Sequence, residues 1–157
     1  NKRGHTAQDV VRAAGLIQEF QIELGLQMMT GLYQSSWQDD VDTAKAIAAL
    51  HPKTVRIYPT SHWKGPTLLL FISRGSYQPM SLEDSVKLCS ELLEFFEEQD
   101  IQVIRLGLHA QESLEQGYLA GPYHPAFREL CEGRIYLRKA LLQIRSVSGK
   151  NASLPSM

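Results

Sequence analysis

At 157 residues, with 43% hydrophobic and 21% charged positions, the chain can bury the core of one domain and does not have the composition of a disordered or fibrous protein. A formal charge of −1 gives no global footprint for nucleic acid, and no apolar stretch approaches the roughly 20 residues needed to cross a bilayer. The cysteines, Cys89 and Cys131, lie far apart without metal-site spacing. With no secretory signal, a disulfide is disfavoured and a cytoplasmic location is expected. The start without Met, almost directly into a helix, is expected either of an excised piece of a longer chain or of N-terminal processing or added tag residues.

Taken in chain order, three helices announce themselves by a Ser or Thr followed three residues later by Asp: Thr6 to Asp9, Ser36 to Asp39 and Ser81 to Asp84. In such a box the hydroxyl accepts a backbone N–H of the first turn while the carboxylate reaches back to the cap. The first helix is expected over Ala7–Leu24, with Val10, Ala13, Ala14 and Ile17 near one stripe and Gly25 as its stop. Leu26–Leu32 reads as a strand. A second helix, Trp37–Leu50, ends before His51-Pro52, because the residue ahead of a proline disfavours helical geometry. Val55–Pro59 is the next strand. A long excursion, Thr60–Met80, follows it, with a short helix expected at Leu68–Ile72, and loops of that length often shape a site.

Leu82–Gln99 is the clearest helix, with Leu82, Val86, Cys89, Leu93 and Phe96 at helical spacing, so Cys89 reads as a buried core thiol. Ile101–Leu108 is a third strand. Gly121-Pro122-Tyr123-His124-Pro125 makes a rigid turn before a last helix, Ala126–Ile144, and residues 146–157 are expected to form a flexible tail. Strands alternating with helices predict an α/β fold of parallel strand–helix repeats, in which chemistry collects where strands end. Those ends offer Thr30 and Gly31, then Tyr58, Pro59 and Thr60, then Gly107 and His109.

Gly31 is either a close backbone approach to a ligand or only a turn. His109 reads as an acid–base residue or, more simply, as polar surface. Arg56 and Arg105 interrupt apolar strands, so a buried head needs either an acidic helix residue or a carboxylate-bearing ligand. Leu82–Asp100 is acidic and Arg128–Lys150 basic, each reading first as a solvated helix face. No phosphate loop, dinucleotide fingerprint, zinc-type cysteine pairing or nucleophile elbow is present. Local chemistry alone assigns no reaction.

Several stretches in order resemble the later half of a radical S-adenosylmethionine (SAM) enzyme. They are Arg3-Gly4-His5-Thr6, Leu26-Gln27-Met28-Met29-Thr30-Gly31-Leu32, Val55-Arg56-Ile57-Tyr58-Pro59-Thr60, Ile104-Arg105-Leu106-Gly107-Leu108 and Gly121-Pro122-Tyr123-His124-Pro125-Ala126-Phe127. The likeness is to bacterial proteins related to the radical domain of the Elongator catalytic subunit and, more distantly, to oxygen-independent coproporphyrinogen oxidases. It covers about Arg3 to Leu142.

The resemblance implies that residues 1–145 are the C-terminal portion of a TIM-like radical SAM barrel. It also implies a parent Fe–S oxidoreductase that uses S-adenosylmethionine and a [4Fe-4S] cluster. In such a parent the reduced cluster cleaves the cofactor, and the resulting 5′-deoxyadenosyl radical abstracts hydrogen from a substrate. The family's CxxxCxxC cluster loop is not in this sequence, so the resemblance places it upstream of Asn1 and leaves the chain alone catalytically inert. Arg3 then matches an arginine on the cofactor carboxylate, Gln27 a polar residue near the ribose, Gly31 the glycine of the flanking strand and Tyr58 the approach to the adenine.

One departure is Tyr33-Gln34 after Gly31-Leu32, where relatives continue with Pro-Gly or Pro-Lys. The implied partners are the upstream part of the same protein, an unidentified substrate with transfer RNA as a candidate, and further copies pairing through open sheet edges. Two other readings compete with it. One is a non-catalytic α/β module whose acidic and basic faces dock a protein or RNA. The other is a small enzyme using His109, His124 or Arg56.

Overall fold

Hydroxyl caps start three helices of the computed structural model, which describes residues 4–63, 78–108 and 118–151. Thr6 accepts the Asp9 N–H and the Asp9 carboxylate takes the Thr6 N–H at 2.8 Å, opening α1, Ala7–Glu19. The same reciprocal pair, Ser36 with Asp39, opens α2, Trp37–Ala48. At α3, Leu82–Glu98, Ser81 accepts the Asp84 N–H at 3.0 Å, but the Asp84 carboxylate takes the Ser81 hydroxyl rather than its amide. The third box therefore closes on the cap through the Ser81 hydroxyl, without the amide bond of the other two.

The first helix also ends sooner than Leu24. Its stop is Gln21, in the left-handed region at φ 58°, and Ile22 N–H closes back onto the Ile17 carbonyl at 3.1 Å. Gly25 instead begins strand β1, Gly25–Thr30, where a Cβ would stand 2.9 Å from Thr54 Oγ1. His51 (φ 48°) and Asp100 (φ 57°) end α2 and α3 in the same left-handed manner.

β1, β2 (Thr54–Pro59) and β4 (Gln102–Leu106) form a parallel three-stranded sheet in the order β1-β2-β4, as the alternation predicts. β3 (His62–Trp63) and β5 (Tyr118–Ala120) make a separate antiparallel pair that the sequence reading does not anticipate. The last helix, α4, runs Phe127–Asn151, past Ser146 where the tail is expected to start. The expected short helix at Leu68–Ile72 lies outside the described residues.

One sheet face is sealed. Met28, Thr30, Val55, Ile57, Val103 and Leu106 point into a core completed by Ala44 of α2, Leu88, Cys89, Leu92, Leu93 and Phe96 of α3, and Phe127, Cys131 and Ile135 of α4. Cys89 is thus the core thiol its helical spacing indicates. The acidic and basic stretches meet each other in part: Glu94 of α3 takes Arg138 and also Lys139 at 3.3 Å, both on α4. That internal pairing removes part of the charge contrast on which a docking module would rely. On the other face, Gln27, Met29, Arg56, Tyr58, Ile104 and Arg105 are exposed or half-buried. No helix among the described residues is long and apolar enough to cross a membrane.

Candidate functional site

Parallel pairing carries the C-terminal ends of all three strands to one rim, where Thr60 N–H bonds the Thr30 carbonyl at 2.9 Å and Gly107 N–H the Ile57 carbonyl at 3.0 Å. The open face below that rim is set by the period-2 alternation that buries the opposite side. In register across the strands it presents Gln27 beside Arg56, Met29 beside Tyr58, and Arg56 beside Arg105. Two of the expected site residues, Gln27 and Tyr58, therefore share this face, on adjacent strands. Thr30 does not: it is 1% exposed on the sealed side, with its Oγ1 3.9 Å from Cys89 Sγ. Arg3 and His109 lie outside the described residues.

Gly31 sits at the rim with φ 68°, a turn that L side chains rarely adopt. Its N–H is engaged by Asp40 Oδ2 at 2.9 Å, and Asp40 Oδ1 also accepts the Ser35 hydroxyl at 3.1 Å. The sequence reading missed Asp40. It follows the capping Asp39 and reads as a second surface acid of the first turn, yet it is 3% exposed. Burial raises its carboxyl above the ordinary value, opposed by the bonds from Gly31 and Ser35.

The turn that Asp40 fixes forms one wall of a cleft of about 490 Å³ lined by Gly31, Tyr33, Trp37, Gln78, Met80 and Asp84. Lys87 lies 5.4 Å over the Trp37 ring on its flank. This is the loop where Tyr33-Gln34 departs from the relatives' pattern.

At the end of β4, Gly107 (φ 87°) lies against Phe127, so closely that a Cβ would come within 3.0 Å of the Phe127 Cβ. Beyond β2, Thr60 Oγ1 is buried without a hydrogen-bond partner among the described residues. His124 Nδ1 accepts the Ala126 N–H at 3.1 Å, a bond within its own turn. Burial lowers the imidazole of His62 below its ordinary value.

Among the described residues no three His, Cys, Asp or Glu side chains group to hold a metal ion. Both cysteines are buried, and burial pushes each thiol up to about 12, which disfavours the thiolate a metal requires.

The family model described as Radical_SAM C-terminal domain matches residues 52–137. Among curated proteins, the chain is 29% identical over 92 residues to the tRNA uridine(34) acetyltransferase of Methanocaldococcus jannaschii, covering 57% of this chain and 17% of that protein. It is 28% identical over 92 residues to the protein of the same name from Methanocaldococcus infernus, with the same coverages. Among solved structures, the archaeal Methanocaldococcus infernus Elp3 with an N-terminal deletion superposes with a TM-score of 0.71 at 21% identity, covering 88% of this chain and 32% of that one. The chain thus spans less than a third of the length of each of these relatives.

Proposed function

The chain belongs to the Radical_SAM C-terminal domain family, and on that premise we propose that its open sheet face is one wall of a radical SAM barrel, holding S-adenosylmethionine against Gln27, Gly31 and Tyr58. The observation that carries the proposal is the register. Gln27 and Tyr58 project from neighbouring parallel strands to the same uncovered face, with Tyr58 nearer the rim. An aromatic face there suits the adenine, and the Gln27 amide offers both a donor and an acceptor to the ribose hydroxyls. Gly31 contributes its turn rather than its amide, which Asp40 already holds. Arg3 is proposed for the cofactor carboxylate, which its guanidinium fork matches in shape.

When bound, S-adenosylmethionine supplies the radical chemistry, and the residues of this chain bind and orient it. The [4Fe-4S] cluster does not fit the thiols present, since both are buried in the core with strongly raised values. No step is assigned to it on this chain. Transfer RNA is the proposed substrate of the complete enzyme, supported by the named activity of the curated relatives. The outer edges of β1 and β4 carry no further strand among the described residues. They are where other staves of such a barrel, or a second copy, would pair.

Equilibrium titration of the chain with S-adenosylmethionine tests the proposal. Tyr58→Ala weakens binding about tenfold, the scale of one lost base–aromatic stack, and Gln27→Ala weakens it less. Equal affinity in wild type and both variants overturns the assignment.

A further inference from the structure

We propose that Arg56 and Arg105 form an oxyanion-binding site on the open sheet face, taking a phosphate or carboxylate group of a ligand that reaches below Tyr58. The two residues are register partners on adjacent strands, flanked by Val55 with Val103 and Ile57 with Leu106. All four flanking side chains are buried beneath the helices. The guanidiniums therefore project together from the other face, on strands about 4.8 Å apart.

Their alignment depends on an irregularity. Unbroken pairing from Val55 with Val103 would set Ile104 opposite Arg56. The register shift between Val55 and Arg56 makes Ile104 the extra residue and brings Arg105 into line. A bulge is a device for re-aiming a side chain, and here it sets two like charges side by side, which without a counter-ion is unfavourable.

Neither arginine has a carboxylate partner among the described residues, whereas Arg12, Arg128 and Arg138 each have one. Gln27, in register with Arg56, extends the row across the sheet with a neutral amide. Two guanidinium forks and an amide make a donor-rich strip suited to the oxygens of a phosphate or carboxylate and hostile to cations. Tyr58 lies two residues nearer the rim on the same face, about 6.6 Å further along the strand. A ligand stacked on Tyr58 could thus place an anionic group on the pair.

The test is thermal unfolding of the full chain titrated with inorganic phosphate and, in parallel, with acetate, at ionic strength held constant with chloride. At ten times its dissociation constant the bound anion raises the wild-type midpoint by about 3–6 °C. Arg56→Gln and Arg105→Gln abolish that rise. With neither probe present, both variants unfold at or above the wild-type temperature, because each removes one of two repelling charges. A larger response to phosphate assigns a phosphoryl group and a larger response to acetate a carboxylate; both support the site.

The proposal is overturned if neither probe stabilises the wild type, or if both variants keep the response. It is also overturned if both variants melt lower without probe, the mark of arginines already engaged in internal ion pairs. The titration contains no S-adenosylmethionine, so its failure leaves the cofactor reading standing, and failure of the cofactor to bind leaves this site untouched.

Discussion

Replacing Asp40 separates the two forces that act on it. Its carboxylate accepts the Gly31 N–H at 2.9 Å and the Ser35 hydroxyl at 3.1 Å, holding the left-handed turn at the end of β1. Bonds to a charged acceptor contribute about 1.5–3 kcal/mol each, and burial of the charge offsets part of that. Asp40→Ala, which removes both acceptors, is therefore expected to cost about 2–3 kcal/mol. Asp40→Asn, which keeps one acceptor oxygen, should cost about 1 kcal/mol. Urea unfolding followed by circular dichroism gives both values from the midpoint shift at constant slope.

The pH dependence carries the sharper prediction. Burial raises the folded value of Asp40 above 3.8, so the native state holds more protons than the unfolded state between 3.8 and that raised value. Its contribution is complete below 3.8 and declines as pH rises through the folded value. The Asn variant has no such titration, and the carboxylates other than the neighbouring Asp39, whose charge helps raise Asp40, cancel in the difference. The advantage of wild type over Asp40→Asn therefore shrinks as pH rises from about 4 to 7. An advantage that grows with pH would show that the hydrogen bonds outweigh burial and would refute the reasoning, as would an Ala variant within about 0.5 kcal/mol of wild type.

Other outcomes follow from the same structure. Phe96→Ala empties a fully buried site at the centre of the core and should cost about 3–5 kcal/mol in urea unfolding. Gly107→Ala combines φ 87° with a Cβ 3.0 Å from that of Phe127, and about 1–3 kcal/mol is expected. Gly133→Ala, inside α4 with nothing within 4 Å of the added methyl, should instead stabilise by about 0.5–1 kcal/mol. Asp39 is held below 3.8 by the Ser36 hydroxyl and amide, so its contribution is complete above 3.8 and lost as pH falls through its lowered folded value. Asp39→Asn should flatten the acid limb of the stability profile; an unchanged limb would contradict this.

The parallel sheet was legible because helix caps and apolar strands are local signals, and at two of the boxes both partners bond as expected. Gln27 and Tyr58 could be placed by alternation alone once β1 and β2 were paired. The helix stop at Gln21 was not legible, because a left-handed non-glycine leaves no compositional mark while nearby Gly25 looks like a stop. The real reason for Gly25 is across the sheet, in Thr54. Asp40 was hidden because its burial depends on how the β1–α2 turn folds back onto it. The alignment of Arg56 with Arg105 depends on a bulge, and the β3–β5 pair joins two- and three-residue strands far apart in sequence. Such contacts are set by tertiary packing, which local sequence patterns do not encode.

The central claim, that the uncovered face holds the cofactor, is tested most directly by two adjacent methionines. Met28 is 4% exposed in the core beneath the helices, while Met29 stands on the open face in register with Tyr58. With methionine methyls carbon-13 labelled, adding S-adenosylmethionine should shift the Met29 resonance and leave Met28 in place. Movement of Met28 alone, or of neither at saturating cofactor, would contradict the account.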